Sequence, residues 1–125
     1  MSESEEVPGL SVTLDKLVYH EDAQLPPERP HAFIYYLTIR NLSERTVTIL
    51  GRKWVLRGEE GTMEVIEGDK VVGKTPELAP GEQFSYNSYH VVAGPTQVEG
   101  AFHGMDEGGR RIHLRIPAFS LEIPG

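Results

Sequence analysis

The sequence predicts an all-β domain, a sandwich or barrel of short antiparallel strands. Prolines and glycines punctuate the chain about every ten to fifteen residues. Between them lie short runs rich in Val, Ile, Thr, Tyr and Phe, residues that suit a pleated, half-buried surface. No window sustains the i, i+3, i+4, i+7 apolar spacing of an amphipathic helix, so helices should be nearly absent.

Seven strands follow in order. The first runs from about Leu10 to Tyr19, with Leu10, Val12 and Leu14 on one face and Ser11, Thr13 and Asp15 on the other. The loop 20–30 contains Pro26, Pro27 and Pro30, which exclude ladder and helix alike. The second strand, His31 to Leu42, aligns Phe33, Tyr35, Leu37 and Ile39. Its other face, with Ile34 and Tyr36, is also partly apolar. Asn41–Glu44 turns the chain into a third strand, Arg45 to Arg57. There Val47 and Ile49 alternate in one phase and Trp54 and Leu56 in the other. A period of two changes phase only through an inserted residue, so a bulge is expected near Gly51. Gly58–Gly61 leads to a fourth strand, about Thr62 to Glu67, and a loop covers 76–81. The fifth, sixth and seventh strands are Glu82–Val91, Thr96–Met105 and Arg110–Ile123. In the last, Ile112, Leu114 and Ile116 give way after Pro117 to Phe119, Leu121 and Ile123 in the opposite phase, which implies a second bulge or a change of sheet.

A chain of 125 residues suits one domain and buries roughly two-thirds of its unfolded surface without staples. There is no cysteine, hence no disulfide framework and no Cys-based zinc site. No run of about 18 apolar residues occurs, and MSESEEVPG lacks the apolar core of a secretory signal. The expected compartment is the cytoplasm, with no membrane partner. A net charge of −7 with scattered Lys and Arg argues against nucleic acid as a partner.

Gly68-Asp69-Lys70-Val71-Val72-Gly73-Lys74-Thr75 matches the Walker A pattern letter for letter. A working P-loop needs a buried strand before it and a helix after it, so that N–H groups and the helix N-terminus cradle phosphate. Here Pro76 follows Thr75 at once and Pro80 follows soon after. The expectation is a strand–turn–strand stretch with Val71 and Val72 in or near the core. A weaker anion site formed by Gly68, Lys70, Gly73 and Lys74 is the remaining ligand-binding candidate.

Several stretches together resemble the ApaG domain family. They are Arg52-Lys53-Trp54, Gly61, Val71-Val72-Gly73 and the run Pro76-x-Leu78-x-Pro80-Gly81-Glu82-x-Phe84-x-Tyr86-x-Ser88. Gly100-x-Phe102, Ile116-Pro117-x-Phe119-x-Leu121 and Pro124 continue the match, and Tyr35 with Asn41-Leu42-Ser43 supplies its earlier part. The resemblance spans about Pro8 to Pro124. It implies a fibronectin type III-like, immunoglobulin-like sandwich of seven to eight antiparallel strands over residues 8–125; the acidic composition of 1–7 predicts a disordered tail before it. Many members carry G-x-G-x-x-G in the Walker-like segment, a pattern suggested to hold pyrophosphate; here Lys70 replaces the middle glycine, which weakens that role. The resemblance links bacterial members with cobalt tolerance and magnesium efflux. Eukaryotic members, at the ends of F-box proteins and of a polymerase-delta-interacting protein, resemble protein-binding modules. It implies no enzyme and no cofactor.

The expected function is a non-catalytic module that binds a protein partner; the alternative is a binder of a small ligand or divalent cation. For the first, Arg52 and Trp54 combine the residue types enriched at interface hot spots, against the plainer structural role of Trp54 as core anchor with Arg52 toward the core edge. Ile34, Tyr36 and Tyr89 are a candidate patch for a partner or for homo-oligomer formation. For the second, a three-residue hairpin loop Glu107–Gly109, with Gly109 left-handed, pairs His103 with His113 about 5 Å apart. These two histidines with Asp106 are the candidate divalent-metal ligands, against the plainer reading of solvated surface histidines. No Ser/His/Asp arrangement or apolar carboxylate pair suggests catalysis.

Overall fold

The computed structural model describes residues 3–22 and 24–125. Its strands are β1 (Glu5–Glu6), β2 (Leu10–Glu21), β3 (His31–Asn41), β4 (Val47–Gly58), β5 (Met63–Asp69), β6 (Glu77–Leu78), β7 (Gln83–Val92), β8 (Thr96–Asp106) and β9 (Arg111–Leu121). No helix occurs among the described residues, so none is long and apolar enough to cross a membrane. One sheet has the order β1-β9-β8-β4-β5, with β6 on the same edge of β4 as β5; the other is β2-β3-β7. All pairings are antiparallel except β1 with β9. This is the expected all-β, fibronectin type III-like sandwich.

The core forms where the inner faces meet. Phe33, Tyr35, Leu37 and Ile39 of β3 are buried against Trp54 and Leu56 of β4, Phe102 of β8 and Ile112, Leu114 and Ile116 of β9. Asn41 lies at its lower rim, fully buried. Its side-chain amide donates to the carbonyls of Arg45 (2.7 Å) and Leu78 (2.8 Å), and its Oδ1 accepts the Ser43 N–H (3.0 Å). One polar side chain thus satisfies three main-chain groups that would otherwise be stranded.

Three bulges keep apolar residues inward. On β4 the register shifts between Ile49 and Gly51, so the inserted residue is Leu50, beside the glycine that marks the switch. On β9, Pro117 and Ala118 together oppose Glu99, as the phase change after Pro117 requires. On β2, Asp15 is inserted between Leu14 and Lys16, which hands the inner face from Leu14 to Leu17 and Tyr19. No sequence expectation covered this third bulge. The Asp15 carboxylate is fixed by the hydroxyls of Thr38 (2.5 Å) and then Thr13 (2.9 Å), which lower its pKa.

Three expectations need correction. The disordered tail expected at 1–7 fails for Glu5–Val7, and its residues 1 and 2 lie outside the described residues. Val7 is buried, Glu5 and Glu6 pair beside Ile112 and His113, and Arg45 and Arg115 hold the two carboxylates. The apolar plug and two cations outweigh the poor strand propensity of glutamate. The loop 76–81 contains β6, because Leu78 is drawn into the core beside Val47. Val72 is not in the core: it is 47% exposed, whereas Val71 is fully buried.

Candidate functional site

β5 and β7 end their sheets on the same open side of the sandwich, and a small cleft of about 170 Å³ lies between them. It is lined by Tyr35, Arg52, Asp69, Lys70, Val72, Gly73, Tyr86 and Ser88. Arg52 reaches it from the inner face of β4, two residues from the core anchor Trp54. One guanidinium nitrogen, Nη1, donates to the carbonyls of Asp69 (2.8 Å) and Lys70 (2.9 Å). Gly68 makes room for it, since a Cβ there would lie 2.8 Å from Nη1. Arg52 and Lys70 make no ion pair among the described residues.

The segment over the cleft is bent by local backbone, and no helix follows it. Val71 and Lys74 exchange both hydrogen bonds (2.7 and 2.9 Å) around Val72 and Gly73, whose φ values are 44° and 78°. That is a two-residue turn with both central residues left-handed, the type I′ geometry. Lys70 is left-handed as well, at φ 69°. The position that carries glycine in the family pattern therefore has a conformational reason for glycine. Lys74 and Thr75 run on toward β6, so the Walker-like letters meet no helix N-terminus.

The opposite wall is aromatic. Tyr35 tilts against Trp54 (ring centroids 5.0 Å) and stacks on His90 (4.8 Å), and Tyr86 meets Tyr35 edge-on (6.4 Å). The Tyr86 hydroxyl and His90 Nε2 are buried without a hydrogen-bond partner among the described residues. Burial pushes the Tyr86 phenol far above its ordinary range, and Tyr35 adds to this while Arg52 opposes it. Burial likewise raises Tyr35, with the Ser88 hydroxyl and the Arg52 charge acting the other way. His90 is pulled down to about 4 by burial, slightly opposed by Glu64. At neutral pH the phenols of this wall are therefore neutral, and they stand beside the guanidinium of Arg52.

The sequence candidates sort into four places. Lys70, Gly73 and Arg52 converge on the cleft; Gly68 packs beneath Arg52, and Lys74 is exposed and outside the cleft lining. Trp54 is core, 1% exposed, behind the cleft. Ile34, Tyr36 and Tyr89 lie together on the outer face of the β2-β3-β7 sheet. Ile34 sits between Val18 and Tyr89 across the strands, and Lys16 lies 5.7 Å from the Tyr36 ring centre. His103 and His113 do face each other across β8 and β9. However, His113 Nδ1 bonds the Ser4 hydroxyl (2.7 Å), its Nε2 faces Glu6, and the His103 ring covers Gly51. Asp106 spends its carboxylate on the N–H groups of Gly108 and Arg110 (both 2.9 Å) and on Arg45. Among the described residues no group of three or more His, Cys, Asp or Glu converges.

Sequence reasoning placed Tyr35, Tyr86 and Ser88 in a motif but did not group them into a site, and it passed over His90. The available signal was the inner face of β7, where Tyr86, Ser88 and His90 stand at alternate positions that a sandwich core ordinarily fills with aliphatic residues.

The fold and this cleft define a small all-β sandwich with a polar recess at one open side. The chain belongs to the ApaG domain family, whose model matches residues 21–106. It is similar to Protein ApaG of Pectobacterium carotovorum, 36% identical over 107 residues, 85% of this chain and 86% of that one. Among solved structures, a structural-genomics X-ray structure is 29% identical with a TM-score of 0.83 over 94% of this chain and 89% of the other. The crystal structure of an ApaA protein from Bordetella pertussis is 27% identical, with a TM-score of 0.81 over 98% of both chains.

Proposed function

We propose that the chain is a non-catalytic recognition module that binds a protein partner at the Arg52 cleft. The bound group is an acceptor-bearing segment, a carboxylate or main-chain carbonyl. The observation that carries the reading is the Tyr86 hydroxyl, a buried donor with no partner among the described residues, in a cleft whose lining includes Arg52 and Lys70, which make no ion pair among those residues. Leaving such a donor unpaired costs on the order of 1–3 kcal/mol, a cost that an incoming acceptor removes. The cleft holds about 170 Å³, room for one side chain and too little for a nucleotide. No nucleophile is paired with a base there, which supports binding over catalysis.

The test is a peptide-display selection on the immobilised protein, followed by calorimetry of the selected peptide. Tyr86→Phe should weaken binding by about tenfold or more, the loss of one hydrogen bond to a buried donor. Tyr89→Ser, on the outer face, should bind as the unaltered protein does. Peptides that bind Tyr86→Phe undiminished would sink the reading.

A further inference from the structure

An exposed strand edge is a template for another strand, and proteins guard such edges with charges, prolines, bulges or cover. Three of the sandwich edges here are guarded. β9 is covered by β1. β5 carries Glu64, Glu67 and Asp69. β2 is broken by the Asp15 bulge and carries Lys16 and Glu21. β7 has none of these devices. It closes its sheet with no strand beyond it, and its pairing with β3 runs from Gln83 to Val92 without a register shift. Its sequence, QFSYNSYHVV, has no Asp, Glu, Lys, Arg, Pro or Gly.

The outward groups can be named. The Asn41 N–H donates to the Glu82 carbonyl (3.0 Å), and the Asn41 carbonyl accepts the Gly81 N–H (2.6 Å). From that point the antiparallel alternation bonds Phe84, Tyr86, Ser88 and His90 to β3. It directs the N–H and C=O of Ser85, Asn87 and Tyr89 away from the sheet.

We propose that β7 is an interface between two copies of this chain, paired antiparallel about a twofold axis at Asn87. Several features select a second copy as the occupant. A twofold pair of identical strands must match outward residues with outward residues. With the axis at Asn87 this holds along nearly the whole strand: Asn87 meets the partner's Asn87, Ser85 meets the partner's Tyr89, and Gln83 meets the partner's Val91. Each copy carries a net charge of −7, so a self-contact needs an uncharged strip, and β7 is the long uncharged edge among the described strands. Beyond the backbone, Tyr89 is 63% exposed at the end of the row Val18–Ile34–Tyr89, and in this register its ring lies over the partner's strand at Ser85 and is covered there. The two three-stranded sheets then join into one of six.

The test is the solution mass of the full chain by sedimentation or light scattering, with amide hydrogen exchange over a concentration series. The expected mass is twice 13.9 kDa, and protection of the Ser85, Asn87 and Tyr89 amides should rise with concentration. Asn87→Pro removes only an outward N–H, which an edge strand tolerates, and should give a folded monomer. Asn87→Lys, which sets two like charges at the axis, should do the same and guards against a misfolded proline variant. A monomer at the highest attainable concentration would overturn the proposal, as would a dimer unaffected by either substitution.

Discussion

His90 makes the folded protein sensitive to mild acid, and the size of the effect follows from its surroundings. The ring is 5% exposed, stacked on Tyr35 and set edge-on to Trp54 at 4.8 Å. Burial lowers its pKa from 6.5 to about 4. The unfolded chain therefore binds a proton between pH 6.5 and 4 that the folded chain refuses, and stability falls as pH falls through that window. The full difference of about 2.5 units corresponds to about 3 kcal/mol, and about 2 kcal/mol of it is lost between pH 7.5 and pH 5. Urea unfolding followed by circular dichroism at those two pH values measures the loss. His90→Phe keeps an aromatic ring in the stack and removes the titrating group, so its stability should be nearly level over the same interval. The reasoning is refuted if the unaltered protein is equally stable at both pH values, or if His90→Phe shows the same fall.

Other perturbations test neighbouring features. Tyr86→Phe removes a buried hydroxyl that has no partner among the described residues, so by denaturant midpoint the variant should be as stable as the parent or up to about 1 kcal/mol more stable; a clear loss would mean the hydroxyl is already bonded. Val72→Asn replaces an exposed β-branched residue at φ 44° with one that accepts left-handed backbone, and thermal unfolding should show a gain of roughly 1 kcal/mol. Asn41→Ala strands the Arg45 and Leu78 carbonyls and the Ser43 N–H in a buried rim, and should cost about 3 kcal/mol or more in chemical denaturation. A cost below about 1 kcal/mol would mean that water replaces the amide there.

The sandwich was legible because its rules are local. Period-two alternation, proline and glycine placed the seven long strands, and the phase switches at Gly51 and Pro117 announced bulges that the register confirms. The switch from Leu14 to Leu17 was equally present, yet no glycine or proline marks it. The β8–β9 hairpin was readable from its turn, because Gly109 at φ 80° fixes which residues face each other. What escaped was set by contacts distant in sequence. Two glutamates become a strand only because β9, more than a hundred residues later, offers an edge and Arg115 a charge. The cleft joins Arg52 of one sheet to Tyr35, Tyr86 and Ser88 of the other, and no spacing along the chain records that meeting. The exposure of Val72 was hidden for a related reason: valine promises burial, and the turn that expels it depends on backbone angles that valine itself disfavours.

Trp54 is the protein's one tryptophan, and its position makes the molecule self-reporting. The indole is almost wholly shielded from water, touches both sheets and meets the His90 ring edge-on. Its emission should therefore be blue-shifted while the sheets stay together and should move to the red when they part. A charged imidazole in contact with an indole quenches it, so the same signal dims when His90 takes up a proton. Sheet separation and the ionisation of a single buried side chain thus appear as two different optical changes, one in colour and one in brightness, from a single intrinsic dye.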